Sequence, residues 1–177
     1  MKSLWINAIP GRKRWVALMC QYGQGSKESH KRDFDLLKSH HNVSSVYVAG
    51  GNRLCVKSNL IFWQHPGSGE NYFLGRYTCS IALPVKEDNV VSVVCIESGR
   101  RDREMTHPYS LNTQGSFCFG SRGGYIAQLL KQKEYITALY VALDSLWSVE
   151  DLHHQKVRAE YELVLSHNSN GEVEDDS

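Results

Sequence analysis

The stretch Val43–Ser98 is rich in β-branched and aromatic residues and is interrupted at intervals by turn-forming residues. The interruptions are Gly50-Gly51, the segment His65–Asn71 and the segment Pro84–Asn89. Runs of this composition, bounded by turn formers, are typical of antiparallel strands. Apolar and polar residues alternate along Tyr77–Leu83, as expected for a sheet with one buried face. We therefore expect a meander of about four antiparallel strands.

Helical patterns flank this strand-rich stretch. The segment Gly25–Asn42 has a short apolar stripe among charged residues and predicts a helix, with Ser26 or Ser29 as its cap. Apolar residues three and four apart along Tyr125–Ser148 predict one or two amphipathic helices, and Val149–Ser166 predicts a further helix. Between strands and helices, Ser98 to Gly124 is expected to be irregular. The order predicts an α+β domain with helices on one side of the sheet.

The two ends of the chain are expected to lie outside this domain, which we assign to residues 26–166. Residues 1–25 contain a turn signal at Pro10-Gly11 and predict an irregular or partly extended N-terminal extension. Residues 167–177 are acidic and poor in apolar side chains, and they predict a flexible tail.

Composition and charge narrow the possible partners. The 177 residues carry a formal net charge of +1, which favours neither nucleic acid nor membrane as a partner. The sequence has no apolar stretch of membrane-spanning length, and the beginning lacks the apolar core of a secretory signal, so we expect a cytoplasmic protein. Cys-x-x-Cys pairs are absent, and the pairs His40-His41 and His153-His154 lack companion ligands at metal-site spacing. We therefore expect neither a metal nor a cofactor.

The cysteines differ in their surroundings. Cys20, Cys55, Cys79 and Cys95 follow or lie within apolar runs, where a free cysteine usually acts as a small core residue. Cys118 is instead surrounded by turn formers and precedes a glycine-rich helix start. It is either a further core thiol or a nucleophile held at the surface. A phosphate-binding loop at the same glycines would need a preceding strand and a lysine that the sequence does not provide.

The segment "HPYSLNTQGSFCFG", His107–Gly120, resembles the active-site segment of ubiquitin-conjugating enzymes, the second enzymes of the ubiquitin-type cascade. His107 and Pro108 match the family's His-Pro step, Gly115 matches a glycine before the nucleophile, and Cys118 takes the place of the catalytic cysteine. Upstream, "YFLGRYTCSIALP" resembles the family's third strand. The Cys-Phe-Gly ending is similar to that of bacterial members, which implies a bacterial conjugation system, with antiviral defence as one setting.

The resemblance implies a UBC-like fold: an N-terminal helix, a four-stranded meander, an active-site loop and C-terminal helices. It implies that Cys118 accepts a ubiquitin-like protein as a thioester from an activating enzyme and transfers it to an amine of a protein acceptor. Tyr109 stands where the family has Asn, and its hydroxyl is expected to donate a hydrogen bond to the oxyanion. Asp151 is the candidate for activating the amine, with Glu150 and His154 behind it.

Other roles follow from the resemblance or compete with it. His107 is expected to organise the loop rather than to act as a base. Lys27, Lys31 and Arg32 are expected to dock the activating enzyme or to form a solvated face, and Arg100, Arg101 and Arg103 to form a solvated face. Two alternatives remain open: a catalytically inactive UBC-like binding module, and a cysteine hydrolase that uses Cys118 with a histidine.

Overall fold

The computed structural model describes residues 8–86 and 90–165, with side chains described from Gly11 onward. The helices are α1 (Ala8–Tyr22), α2 (Lys27–Ser39), α3 (Arg122–Lys131), α4 (Tyr135–Ser145) and α5 (Asp151–Glu160). The strands are β1 (Val43–Ala49), β2 (Arg53–Ser58), β3 (Ile61–Gln64), β4 (Asn71–Ala82), β5 (Ser92–Ser98) and β6 (Glu162–Val164). The predicted α+β class is confirmed. Residues 1–7 and the predicted tail 167–177 lie outside the described residues.

Strand β4 is the centre of an antiparallel sheet. Strands β2 and β3 pair in succession along one edge of β4, strands β5 and β6 pair along the other edge, and β1 pairs outside β2. One row across the sheet joins Val46, Val56, Cys79 and Val93, all of which are buried. The antiparallel order agrees with the prediction, but Val43–Ser98 forms five strands rather than about four, and β6 makes the sheet six-stranded. The pair Cys55 and Ser80 is also buried, so burial is not confined to one face.

The buried face of the sheet is covered by helices. Helices α1 and α2 contact β1, and α4 contacts β4. Helix α2 is capped by Ser26, one of the two predicted caps, whose hydroxyl oxygen accepts a hydrogen bond from the Ser29 amide at 3.1 Å. Two helices, α3 and α4, follow the irregular connector, within the predicted range of one or two. Within residues 8–86 and 90–165, no helix has both the length and the apolar character needed to cross a bilayer.

The prediction of an irregular or extended lead-in is wrong over residues 8–22, which form helix α1. Trp15, Val16, Leu18 and Met19 are buried, a spacing that places them on one helical face. Pro10 lies in the first turn of the helix, where a missing backbone N–H breaks no intrahelical hydrogen bond. Helix α1 therefore contributes to the same core as the remaining elements.

The prediction of one continuous helix over Val149–Ser166 is also wrong, because α5 ends at Glu160 and the chain continues as β6. Strand β5 pairs with β4 only from Gly75 onward, which leaves Asn71–Phe73 as an uncovered edge. Strand β6 pairs with those three residues. An unpaired strand edge is costly, so this long-range pairing outweighs the local helical pattern.

The sequence predicts that Arg100 belongs to a solvated basic face, and this prediction is wrong. Its side chain is 10% exposed and forms ion pairs with Asp102 and Glu160, each at 2.6 Å. The Arg101 guanidinium donates to the backbone oxygen of Tyr161 at 3.0 Å. These two arginines therefore tie the irregular connector to the end of α5. The side chain of Arg103 is exposed.

Candidate functional site: the Cys118 groove

Cys118 lies on the connector between β5 and α3, and its side chain is exposed. It lines a surface groove of about 540 Å³, which we call the Cys118 groove. The walls of this groove come from Pro108–Leu111, from Cys118–Arg122 and from the start of α5. The expectation that Cys118 is a surface thiol rather than a core residue is therefore met.

The loop that carries Cys118 folds back on itself as a short hairpin. The Cys118 amide donates to the Tyr109 carbonyl at 2.9 Å, and the Leu111 amide donates to the Ser116 carbonyl at 2.9 Å. At the tip, the Gly115 carbonyl accepts from the Val93 amide at 3.0 Å, which fastens the loop to β5. Gly115 has φ +109° and lies so close to Ser92 that a Cβ atom would be 2.0 Å from its hydroxyl oxygen. Glycine meets both requirements.

His107 lies beneath this hairpin and is 1% exposed. Its Nδ1 accepts from the Tyr109 amide at 3.2 Å, and its Nε2 is 2.9 Å from the Leu146 carbonyl, to which it can donate. One neutral tautomer satisfies both contacts. Burial lowers the pKa of His107 to about 4. This geometry favours an organising role, because both ring nitrogens are already engaged in holding the loop.

Tyr109 connects the Cys118 loop to the start of α5. Its hydroxyl oxygen accepts from the Glu150 amide at 2.5 Å, and its ring lies 4.7 Å from the His153 ring, centroid to centroid. Burial raises the pKa of Tyr109, so the hydroxyl stays protonated at neutral pH. The hydroxyl accepts one hydrogen bond here and keeps its own hydrogen for a second partner.

Asp151 does not line the Cys118 groove. Its side chain is fully exposed, and its carboxylate lies 3.5 Å from Nε2 of His154. The His154 ring packs against Trp63, with centroids 4.8 Å apart. The groove is lined instead by Glu150 and His153, which precede Asp151 and His154 by one residue each. Successive helical residues point about 100° apart, so placement by counting along the sequence missed the correct face.

His153 is the groove residue that sequence reasoning did not assign to this site. A usable signal was present, since His153 lies four residues before Val157, the fully buried position of α5. Residues four apart share one face of a helix. A histidine at that spacing faces the body of the protein rather than solvent.

Charges of both signs border the groove. Arg122 forms an ion pair with Asp144 at 3.0 Å, and the Lys156 ammonium donates to the Pro108 carbonyl at 3.4 Å. Glu150 lines the same wall. Across residues 8–86 and 90–165, no three His, Cys, Asp or Glu side chains are grouped so that they can hold a metal ion.

Three of the other four cysteines are core residues, as predicted. Cys55, Cys79 and Cys95 are buried, and burial raises the pKa of Cys79 to about 12 and of Cys95 to about 11. The prediction is wrong for Cys20, which is exposed on α1 and lines a separate groove between α1 and α2. The chain therefore has two exposed thiols within its described part, and only Cys118 lies in a groove with a histidine.

Comparison of the chain with protein-family models, with curated proteins and with solved structures gives no match in any of the three.

Proposed function

We propose that the chain is a conjugating enzyme that carries a ubiquitin-like protein as a thioester on Cys118 and transfers it to an amine. The observation that supports this most strongly is that Cys118 is exposed in an open groove. The loop that carries it is held in place by backbone hydrogen bonds. Thioester exchange needs a thiolate that protein-sized partners can reach, and this excludes a deeply buried cysteine.

The proposed reaction has two steps. The Cys118 thiolate attacks the carbonyl carbon of the thioester on the activating enzyme, whose own sulfur leaves as a thiolate when that C–S bond breaks. An acceptor amine then attacks the new thioester, so that a C–N bond forms and Cys118 leaves as a thiolate. Both steps pass through a tetrahedral oxyanion, which hydrogen-bond donors near Cys118 must stabilise.

Several features of the groove suit these steps. Helix α3 begins at Arg122, close after Cys118, and the positive end of a helix favours negative charge nearby. The hydroxyl of Tyr109 keeps a hydrogen that it can donate to an oxyanion. His107 holds the loop that carries both residues.

The proposed partners are a ubiquitin-like protein, an activating enzyme and a protein acceptor. Helix α2 offers the activating enzyme a basic surface, because Lys27 and Arg32 are exposed. Lys31 lies on the same helix but is paired with Glu28 at 2.9 Å. Lys27 and Arg32 are therefore the docking residues with the more available charge.

The alternative of a cysteine hydrolase that uses Cys118 with His107 is weakened by the surroundings of His107. A cysteine hydrolase needs a histidine that is free to exchange a proton with the thiol. His107 is buried, and both its ring nitrogens are engaged with the backbone. An inactive binding module would have no need for an exposed thiol in a groove.

The experiment that tests the proposal looks for a covalent adduct in cells that contain the native pathway. The wild-type chain should give an ATP-dependent adduct that thiols and hydroxylamine release. Cys118→Ser should give an adduct that resists thiols, because an oxyester replaces the thioester. Cys118→Ala should give none, and Cys20→Ala, the other exposed thiol, should behave as wild type.

Three outcomes would contradict the proposal. An adduct that survives in Cys118→Ala would place the linkage elsewhere. The absence of any adduct, with partner binding unchanged in Cys118→Ala, would support the binding module. Labelling of Cys118 by a vinyl sulfone probe on a ubiquitin-like tail, without an activating enzyme or ATP, would favour the hydrolase.

A further inference from the structure

We infer that His153, and not Asp151, accepts the proton from the amine that attacks the Cys118 thioester. This inference rests on the proposed carrier function. His153 lines the same groove as Cys118, whereas the Asp151 carboxylate is fully exposed and faces His154. A base must lie within hydrogen-bond reach of the attacking nitrogen, and this requires it to share the groove with the thioester.

Tyr109 sets the position of His153 relative to Cys118. The Tyr109 carbonyl accepts from the Cys118 amide at 2.9 Å, while the Tyr109 ring contacts the His153 ring. The Tyr109 hydroxyl also accepts from the Glu150 amide, which fixes the first turn of α5. One residue therefore holds the nucleophile on one side and the imidazole on the other.

The two nitrogens of His153 have different surroundings. Nδ1 is buried and has no hydrogen-bond partner. Nε2 has no hydrogen-bond partner within the described residues and is not among the buried atoms. An imidazole in a groove wall, with one ring nitrogen buried and the other accessible and unpartnered, can exchange a proton through the accessible nitrogen.

The proton balance of the transfer step is simple. A neutral amine attacks the thioester carbonyl and becomes a positively charged nitrogen in the tetrahedral intermediate. His153 removes one proton from that nitrogen, the C–S bond breaks, and Cys118 leaves with the electron pair. The imidazolium then returns its proton to the thiolate or to solvent, so His153 is regenerated neutral.

Several charged and titratable groups line the groove together with His153. On α5 and its start these are Glu150 and Lys156, on the loop they are Tyr109 and Cys118, and on α3 it is Arg122. His107 lies beneath the loop, and His153 is one of the groups that lower its pKa. The measured pH profile of transfer will therefore reflect this whole set, and only its change on substitution identifies His153.

The test separates charging from transfer. A synthetic peptide thioester that ends in Gly-Gly is used to charge Cys118, and free lysine is then added as acceptor between pH 6 and pH 9. The variants are His153→Gln and, as the matched control on the same helix, His154→Gln, which changes a ring packed on Trp63 outside the groove. Intact-protein mass spectrometry follows the charged form, and thermal unfolding checks that both variants fold.

We expect His153→Gln to charge as wild type but to transfer to lysine about 100-fold more slowly at pH 7. Its transfer rate should change less with pH than the wild-type rate does, because the group that takes the amine proton has been removed. His154→Gln should transfer at close to the wild-type rate. The inference would be overturned if folded His153→Gln transferred to lysine at the wild-type rate. It would also be overturned if charging and transfer were slowed equally. A wild-type protein that charges but only hydrolyses the thioester would instead contradict the carrier function.

Discussion

The imidazole of His107 is buried beside Tyr77 and Phe117 and joins two backbone segments that are distant in sequence. Protonation would place a hydrogen on Nδ1, which now accepts from the Tyr109 amide. The buried ring would then carry a charge and face a donor. His107 is therefore a fixed neutral residue that gives the Cys118 loop its shape, and acid should loosen that shape.

The pH dependence of stability tests this role. The pKa of His107 is about 4 in the folded protein and about 6.5 in an unfolded chain, so between these values the unfolded state binds more protons. The free energy of unfolding should fall by about 2 kcal/mol through this group from pH 7 to pH 5. Urea unfolding at both pH values measures it. His107→Gln should lose this part of the slope, and the exposed His41→Gln should keep it; equal slopes in all three would contradict the assignment.

Gly115 carries the second prediction at this scale. Alanine there would adopt φ +109° and would bring its Cβ to 2.0 Å from the Ser92 hydroxyl. We expect Gly115→Ala to reduce the free energy of unfolding by about 1 to 3 kcal/mol. Gly124→Ala in α3, where no atom lies within 4 Å of the new Cβ, is the control and should not destabilise. Equal effects of the two substitutions would show that the loop does not need a glycine at position 115.

At the scale of elements, the Cys118 groove depends on how the irregular connector meets α5. Contacts at both ends of the helix join them: Tyr109 with the Glu150 amide, Arg100 with Glu160, and the Arg101 amide with the Glu160 carbonyl. The first holds the beginning of the helix, and the other two hold its end. Helix α5 is therefore fixed to the connector at both ends, which holds His153 in the wall of the Cys118 groove.

Removal of one hydroxyl tests this connection. Tyr109→Phe leaves the Glu150 amide without its partner and should cost about 1 kcal/mol in the free energy of unfolding. Amide hydrogen exchange should accelerate in the first turn of α5. Tyr140→Phe on α4 is the control, because the Tyr140 hydroxyl makes no hydrogen bond within the described residues. Unchanged exchange at the start of α5 in Tyr109→Phe would contradict the coupling.

At the scale of the whole molecule, α1 is part of the core. Trp15 is fully buried and its ring meets Phe34 of α2 at 5.8 Å, edge to face. Helix α1 also packs against β1, the edge strand of the sheet. Residues 8–22 therefore stabilise the domain that holds the Cys118 groove.

Truncation of one side chain measures the contribution of α1. Trp15→Ala should lower the free energy of unfolding by about 3 to 5 kcal/mol through lost burial and the cavity left behind. Arg14→Ala, at the exposed neighbouring position, should change it by less than about 0.5 kcal/mol. A small effect of Trp15→Ala in equilibrium unfolding would show that α1 is not required for the core.

Local patterns were sufficient for the antiparallel strand-rich stretch, though not for its number of strands, for α2 with its Ser26 cap, and for the two helices after the connector. They failed where long-range contacts decide the structure. Strand β6 exists because β4 has an uncovered edge, and α1 was overlooked because its turn signal at Pro10-Gly11 lies inside the first turns of a helix. In the site, Cys118 was found from its turn-forming neighbours. His153 was missed because counting along the sequence placed the amine-activating residue at Asp151, which points away from the groove, although the spacing of His153 from the buried Val157 was a local signal.

The occupancy of Cys118 in cells tests the central claim most directly. Cells with the native pathway are lysed in iodoacetamide, with or without hydroxylamine, and alkylation of the Cys118 peptide is compared with that of the Cys20 peptide. We predict that a fraction of Cys118 becomes alkylated only after hydroxylamine, that ATP depletion abolishes this fraction, and that Cys20 shows none. Full alkylation of Cys118 without hydroxylamine in ATP-replete cells would contradict a thioester on this residue.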